Sequence, residues 1–212
     1  MTVKERLELI LEDVKSYNPK IIAVTKYYDE KKMIEAFEAG LRDFAESRVL
    51  DAVEKINKID DTMRKQSIYH FIGHLQTNKV KHVVGAFQYI HSVDSLKVAK
   101  CIDEEACKKG IIQKILIQVN NANEPQKFGV CVSQLENLII EVKSLKSIKL
   151  AGLMNIAPLI DDKNELQRLF LEMRKLKDEF QLDELSMGMS HDYKIALDCG
   201  ATMIRLGRIL FN

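Results

Sequence analysis

Eight short apolar runs, each followed by a polar break and most by an amphipathic segment, constrain this chain more than any other feature. They read "IIAVTK" (21–26), "DFAE" (43–46), "YHFIG" (69–73), "YIHSV" (89–93), "KILIQVN" (114–120), "KLAGLM" (149–154), "ELSMG" (184–188) and "MIRLG" (203–207). Runs of this length, enriched in Ile, Val and aromatic residues, are strand signals. Segments between them, such as "DEKKMIEAFEAG" and "DKNELQRLFLEMRKLKDEF", carry helical periodicity, with an acidic residue near the start. Eight strands separated by helices predict an α/β fold: a single (β/α)8 TIM-type barrel over residues 1–212, with an extra N-terminal helix over about residues 2–16. An open doubly wound sheet fits the same alternation, because periodicity does not report closure.

Bulk composition narrows the function. Hydrophobic residues make up 46% of the chain and charged residues 30%, enough for a core, and the net charge is +1. No global field recruits nucleic acid or an anionic membrane. No run reaches bilayer-spanning length, and "MTVKERLELILEDV" lacks a signal-like apolar centre, so a cytoplasmic protein without membrane or nucleic-acid partners is expected. Cys101, Cys107, Cys131 and Cys199 form no CxxC pair, which favours reduced thiols over bridges or a zinc site.

Chemistry should lie at the carboxyl ends of the strands, where barrels carry their sites. An apolar run that ends in Lys26 places an amine at that face. Surface lysines are commonly just solvated, so Lys26 gains weight only from its neighbours. "SMGMS" after the seventh run ends in Ser190 before a helical pattern, and Gly207 follows the eighth. A hydroxyl, a glycine and helix-terminus amides suit a phosphate, although a Gly-bearing turn with a capping Ser has the same signature. A lysine beside an anion loop suits an aldehyde bearing a phosphate, and pyridoxal 5′-phosphate is the common one. Arg205 on the last run would face its ring. His70 and His74 stand about 13 Å apart if they share a strand, which is poor zinc geometry, and no metal is expected.

"AVTK", "HFIGHLQTNK", "NxxxExxKFG", "GLM", "LSMGMSxDYxxAxxxGATxIRxG" and "ILF" together resemble the pyridoxal phosphate homeostasis protein family, from about Ile21 to Phe211. Those proteins look like the N-terminal barrel of alanine racemase without its second domain. The resemblance implies that Lys26 holds the cofactor as an aldimine, and that Ser190 binds the phosphate with backbone from Gly207 and Arg208. It also implies that Arg205 approaches the pyridine nitrogen, with Met187, Gly188 and Met189 shaping the pocket. Ile72, Gly73 and His74 fall near the ring, and Met154 along its side. One segment departs: "FAESRVLD" has Ala45, Ser47, Leu50 and Asp51 where the family has Gly, Asn, Gln and Glu, so Ser47 is too short to reproduce an amide contact.

The resemblance points to a monomeric carrier that takes part in intracellular pyridoxal phosphate homeostasis, possible recipients being pyridoxal-phosphate enzymes, with no significant amino-acid turnover. The alternative is a small racemase or lyase. Racemisation needs a second proton-transfer group across the ring from the lysine, and no motif places Tyr27, Tyr28 or Tyr193 there. A third reading is an interaction module for which the cofactor only signals vitamin status.

Overall fold

The computed structural model describes Met1–Asn212. Its strands are β1 (Lys20–Val24), β2 (Asp43–Glu46), β3 (Ile68–Phe71), β4 (Tyr89–Val93), β5 (Gln113–Gln118), β6 (Ile148–Met154), β7 (Glu184–Met189) and β8 (Met203–Leu206). All eight pair in parallel in chain order, and β8 returns to β1, with Ile22 opposite Arg205, so the sheet closes into a barrel. The eight runs read from the sequence each become one strand, with bounds that agree to within two residues at either end. At β1 the strand stops at Val24 rather than Lys26.

The helices are α1 (Val3–Val14), α2 (Glu30–Glu38), α3 (Val49–Lys58), α4 (Asp61–Gln66), α5 (Val80–Val83), α6 (Leu96–Lys108), α7 (Val132–Lys143), α8 (Lys163–Glu179), α9 (Tyr193–Asp198) and α10 (Arg208–Phe211). Local chemistry sets where they begin. Thr2 Oγ1 accepts from the Glu5 N–H while Glu5 Oε2 accepts from the Thr2 N–H, a reciprocal cap that opens α1. Asp162 Oδ1 accepts from the N–H groups of Asn164 and Glu165 and opens α8. Each long helix buries one stripe at three- and four-residue spacing: Val3, Leu7, Ile10 and Val14 on α1, and Leu166, Leu169, Phe170 and Met173 on α8. No helix is long and apolar enough to cross a membrane.

The apolar residues fall into two clusters. The larger joins the helices to the strand residues that face them. The smaller fills the barrel, with Ile22, Ala45, Tyr89, Leu116, Ala151, Met154 and Met203. Period-two alternation explains the split, since Met203 and Arg205 share one face of β8 and Ile204 and Leu206 the other. A register shift between β7 and β8 falls between Ser186 and Met189, where Gly188 has φ +88°. A Cβ at Gly188 would stand 2.7 Å from Ala196 Cβ, so only glycine lets α9 pack this closely beneath the loop that follows β7.

Candidate functional site

A cavity of about 510 Å³ opens at the carboxyl ends of the strands, between the loops that follow β1, β6, β7 and β8. Lys26, Ile72, Met189, Ser190, Arg205, Gly207 and Arg208 line it. Seven of the residues singled out in the sequence are thus brought together, from four different strand ends. Its size is that of a small-molecule site.

Lys26 sits in a turn closed by the Tyr28 N–H, which donates to the Thr25 carbonyl at 2.9 Å. Its Nζ lies 5.0 Å from the ring centroid of Tyr27. The root of this turn is fixed from below. Thr25 Oγ1 donates to Glu46 Oε1 at 2.6 Å, and Lys55 Nζ donates both to Glu46 Oε1 at 2.6 Å and to the Thr25 carbonyl at 2.7 Å. Glu46 is buried and the Lys55 side chain is 11% exposed, so this ion pair is shielded and the Thr25 carbonyl is held in place.

The opposite wall is an anion cradle. Ser190 Oγ accepts from the Ile209 N–H at 3.3 Å and ties the β7 loop to the start of α10. The Met189 N–H donates to Asp192 Oδ1 at 2.6 Å, which shapes the same loop. The main-chain N–H groups of Ser190, His191 and Gly207 donate to no acceptor within the chain, and all three residues line the cavity. Free amides beside a hydroxyl are the donor set a phosphate requires.

Between the two walls lies Arg205. It is 3% exposed, donates from Nη1 to Ser186 Oγ and from Nη2 to the Asn155 carbonyl, each at 2.7 Å, and makes no ion pair within 4 Å. Burial pushes its pKa down to about 10, with Asp192 pulling the other way, so the guanidinium stays charged at neutral pH. Lysine amine, guanidinium and anion cradle therefore fit an aldehyde-bearing aromatic phosphate.

Six other residues implied by the resemblance lie outside the cavity lining. Gly73 is buried, and a Cβ there would stand 2.1 Å from the Ser47 carbonyl oxygen, so the loops after β2 and β3 are pressed together at this point. His74 stacks on Phe128, with ring centroids 3.7 Å apart, and approaches Asp94 at 3.5 Å. Met154 belongs to the barrel-filling cluster, Met187 packs toward the helices, and Gly188 provides the close approach of α9. Sequence reasoning missed Tyr28, Pro158, Leu159, His191 and Asp192 as lining residues. Of these, Asp192 carried a signal, since Asp two residues after Ser190 in a Gly-bearing segment is turn chemistry.

The site defines a class: a barrel that presents one amine, one buried guanidinium and one anion cradle at the carboxyl ends of its strands. Residues 2–212 match the family model of the alanine racemase N-terminal domain. The pyridoxal phosphate homeostasis protein of Synechocystis sp. is 40% identical, over 91% of this chain and 90% of its own length. That of Aquifex aeolicus is 34% identical, over 100% and 98%. PipY of Synechococcus elongatus PCC7942 superimposes with a TM-score of 0.93 without PLP and 0.90 with PLP bound, at 35% and 34% identity, over 99% of this chain and 100% of that one. The chain belongs to the pyridoxal phosphate homeostasis protein family.

Proposed function

We propose that this protein binds pyridoxal 5′-phosphate and serves its homeostasis, with the aldehyde held as a Schiff base on Lys26 and the phosphate in the Ser190–Gly207 cradle. The observation that carries this reading is the convergence of Lys26, Arg205 and the free amides on one cavity. The family names and the PLP-bound PipY structure support the cofactor. When bound, the cofactor supplies an electrophilic carbonyl and an electron-accepting ring.

The chain's own groups favour holding over turnover. With the ring nitrogen toward it, the charged Arg205 would oppose protonation there and would make the ring a weaker electron sink. Moving a proton between the two faces of an amino acid needs an acid and a base on opposite sides. Tyr27 stands beside Lys26, Tyr28 Oη donates to Asn212 Oδ1 at 2.7 Å, and Tyr193 Oη donates to Asp13 Oδ2 at 2.9 Å. The hydroxyls of Tyr28 and Tyr193 are thus engaged by other parts of the chain. We take residues 1–212 as one domain that acts as a monomer and delivers the cofactor to recipient enzymes.

The test is the visible spectrum of the purified protein with pyridoxal phosphate, followed by borohydride reduction and mapping of the labelled peptide. The label is expected on Lys26, and Lys26→Ala should lose both band and label. A label on Lys55 or Lys127 instead would overturn the assignment. Incubation with L-alanine should give no D-alanine, keto acid or ammonia at the ordinary enzyme rate of about 1–10³ per second. Such turnover would establish the racemase or lyase reading.

A further inference from the structure

A polar thread crosses the interior of the barrel. Arg205 Nη1 donates to Ser186 Oγ, which lies 3.0 Å from His91 Nδ1. His91 Nε2 lies 2.9 Å from His70 Nδ1, and His70 Nε2 lies 2.8 Å from Asp43 Oδ1. The five residues come from β8, β7, β4, β3 and β2. Ser186, His91 and His70 are fully buried, whereas the Asp43 side chain is 15% exposed at the first residue of β2, at the opposite end of the barrel from the cavity. Asp43, His70, His91 and Ser186 do not line the cavity.

The two ends fix the direction of every hydrogen bond. A guanidinium only donates and a carboxylate only accepts. Ser186 Oγ accepts from Arg205, and with both buried imidazoles neutral its own proton goes to His91 Nδ1. His91 must then carry its proton on Nε2 and give it to His70 Nδ1, and His70 must carry its proton on Nε2 and give it to Asp43. Both imidazoles are neutral in this arrangement, and burial holds both below the usual histidine pKa. His70 is clamped further by its stack on Tyr89, centroids 4.8 Å apart, and the Nζ atoms of Lys20 and Lys114 lie 4.9 and 5.0 Å from the centroid of the Tyr89 ring. Arg205 is thus a buried cation whose oriented acceptors are the Ser186 hydroxyl and the Asn155 carbonyl rather than a carboxylate.

We propose that Asp43, His70, His91 and Ser186 act as one positioning unit, a directional hydrogen-bond thread that fixes the Arg205 guanidinium against the ring of the bound ligand. The inference rests on the cofactor reading above, because Arg205 has a ring to face only if pyridoxal phosphate occupies the cavity. It makes residues remote from the cavity determinants of how the ring, and not the phosphate, is held.

The experiment has a ligand-free arm and a ligand arm. In ligand-free protein labelled with ¹⁵N-histidine, His70 and His91 are expected as neutral Nε2–H tautomers at neutral pH, and either ring found protonated or as Nδ1–H overturns the thread. In the ligand arm, affinity for pyridoxal phosphate, competition by inorganic phosphate and the pH midpoint of the visible band are compared in wild type, His91→Leu, Asp43→Ala and Asp43→Asn. His91→Leu and Asp43→Ala should weaken pyridoxal phosphate by about 3–10-fold, the worth of one hydrogen bond. Both should move the band's midpoint and leave inorganic phosphate affinity within about twofold. Asp43→Asn, which keeps an acceptor for His70, should stay near wild type. Asp43→Ala lies at the barrel edge and guards against loss of folding in His91→Leu. A wild type that binds while both folded variants keep its midpoint and affinity overturns the thread alone. Equal losses for phosphate and pyridoxal phosphate do the same. A wild type that fails to bind pyridoxal phosphate overturns the functional reading itself.

Discussion

The two sides of the barrel mouth are built on opposite plans. On the β7–β8–β1 side the loops stand apart, and Lys26, Ser190, Gly207 and Arg208 look into a shared cavity with main-chain amides unspent. On the β2–β3 side the loops are pressed shut, with the Ser47 carbonyl where a Gly73 side chain would be and His74 stacked on Phe128. The difference teaches what glycine does in each place. At Gly73 it lets two backbones touch, whereas at Gly207 a Cβ would meet Val24 O only at 3.4 Å. One glycine is spent on packing and the other stands at the rim of the cavity.

Paired substitution breaks this comparison most directly. Gly73→Ala should destabilise the protein by about 3 kcal/mol or more, since a backbone must move, whereas Gly207→Ala should cost under ~1 kcal/mol in stability. Chemical denaturation of both variants checks this, and comparable losses would mean that the two rims are not differently packed.

Acidification probes the closed side next. His70 and His91 lie on strands β3 and β4 and are held neutral by burial, while an unfolded histidine titrates near 6.5. Below that pH the unfolded chain binds protons that the folded one refuses, so stability is fully present above about pH 6.5 and falls as pH drops. The slope is up to ~1.4 kcal/mol per pH unit for each ring. Denaturation midpoints between pH 7 and 5 should show the fall, reduced in His91→Leu, and a flat profile would contradict it. On the open side, Arg205 keeps its charge over this range.

The smallest effects sharpen the contrast. Ser190→Ala should weaken pyridoxal phosphate by about 0.5–1.5 kcal/mol, or somewhat more given a charged acceptor. Ser47→Asn, which restores the family's residue on the closed side, should change affinity by less than ~0.5 kcal/mol. Titration of the visible band measures both, and a larger gain from Ser47→Asn would show that the closed side reaches the ligand.

The placement of Lys26, Ser190 and Gly207 at one cavity was legible in the sequence because each signal is local: a lysine at the end of an apolar run, and Ser with Gly at a strand–helix junction. The thread was not. Asp43, His70, His91, Ser186 and Arg205 each occupy an inward position of a strand, which alternation can suggest, but the level at which they meet depends on the stagger between strands. Pairing registers, including the shift between Ser186 and Met189, set that stagger. The Lys55 contact beneath Lys26 was hidden for a similar reason, since it joins a helix to a turn through the end of β2. The stack of His74 on Phe128 was hidden as well, because Phe128 comes from a loop beyond β5 and no local pattern announces it.

The pairing of β8 with β1 carries a consequence for biosynthesis. Lys26 leaves the ribosome well before Arg205 and the Gly207 amide, and the cavity they share exists only once β1 has met β8. A nascent chain therefore offers a bare surface amine and no cradle until β8 has emerged. A ligand bound in that cavity would bridge the seam between β1 and β8, and its binding free energy would add to the closure of the ring of strands. Ligand supply would then set how long the barrel resists opening along that seam.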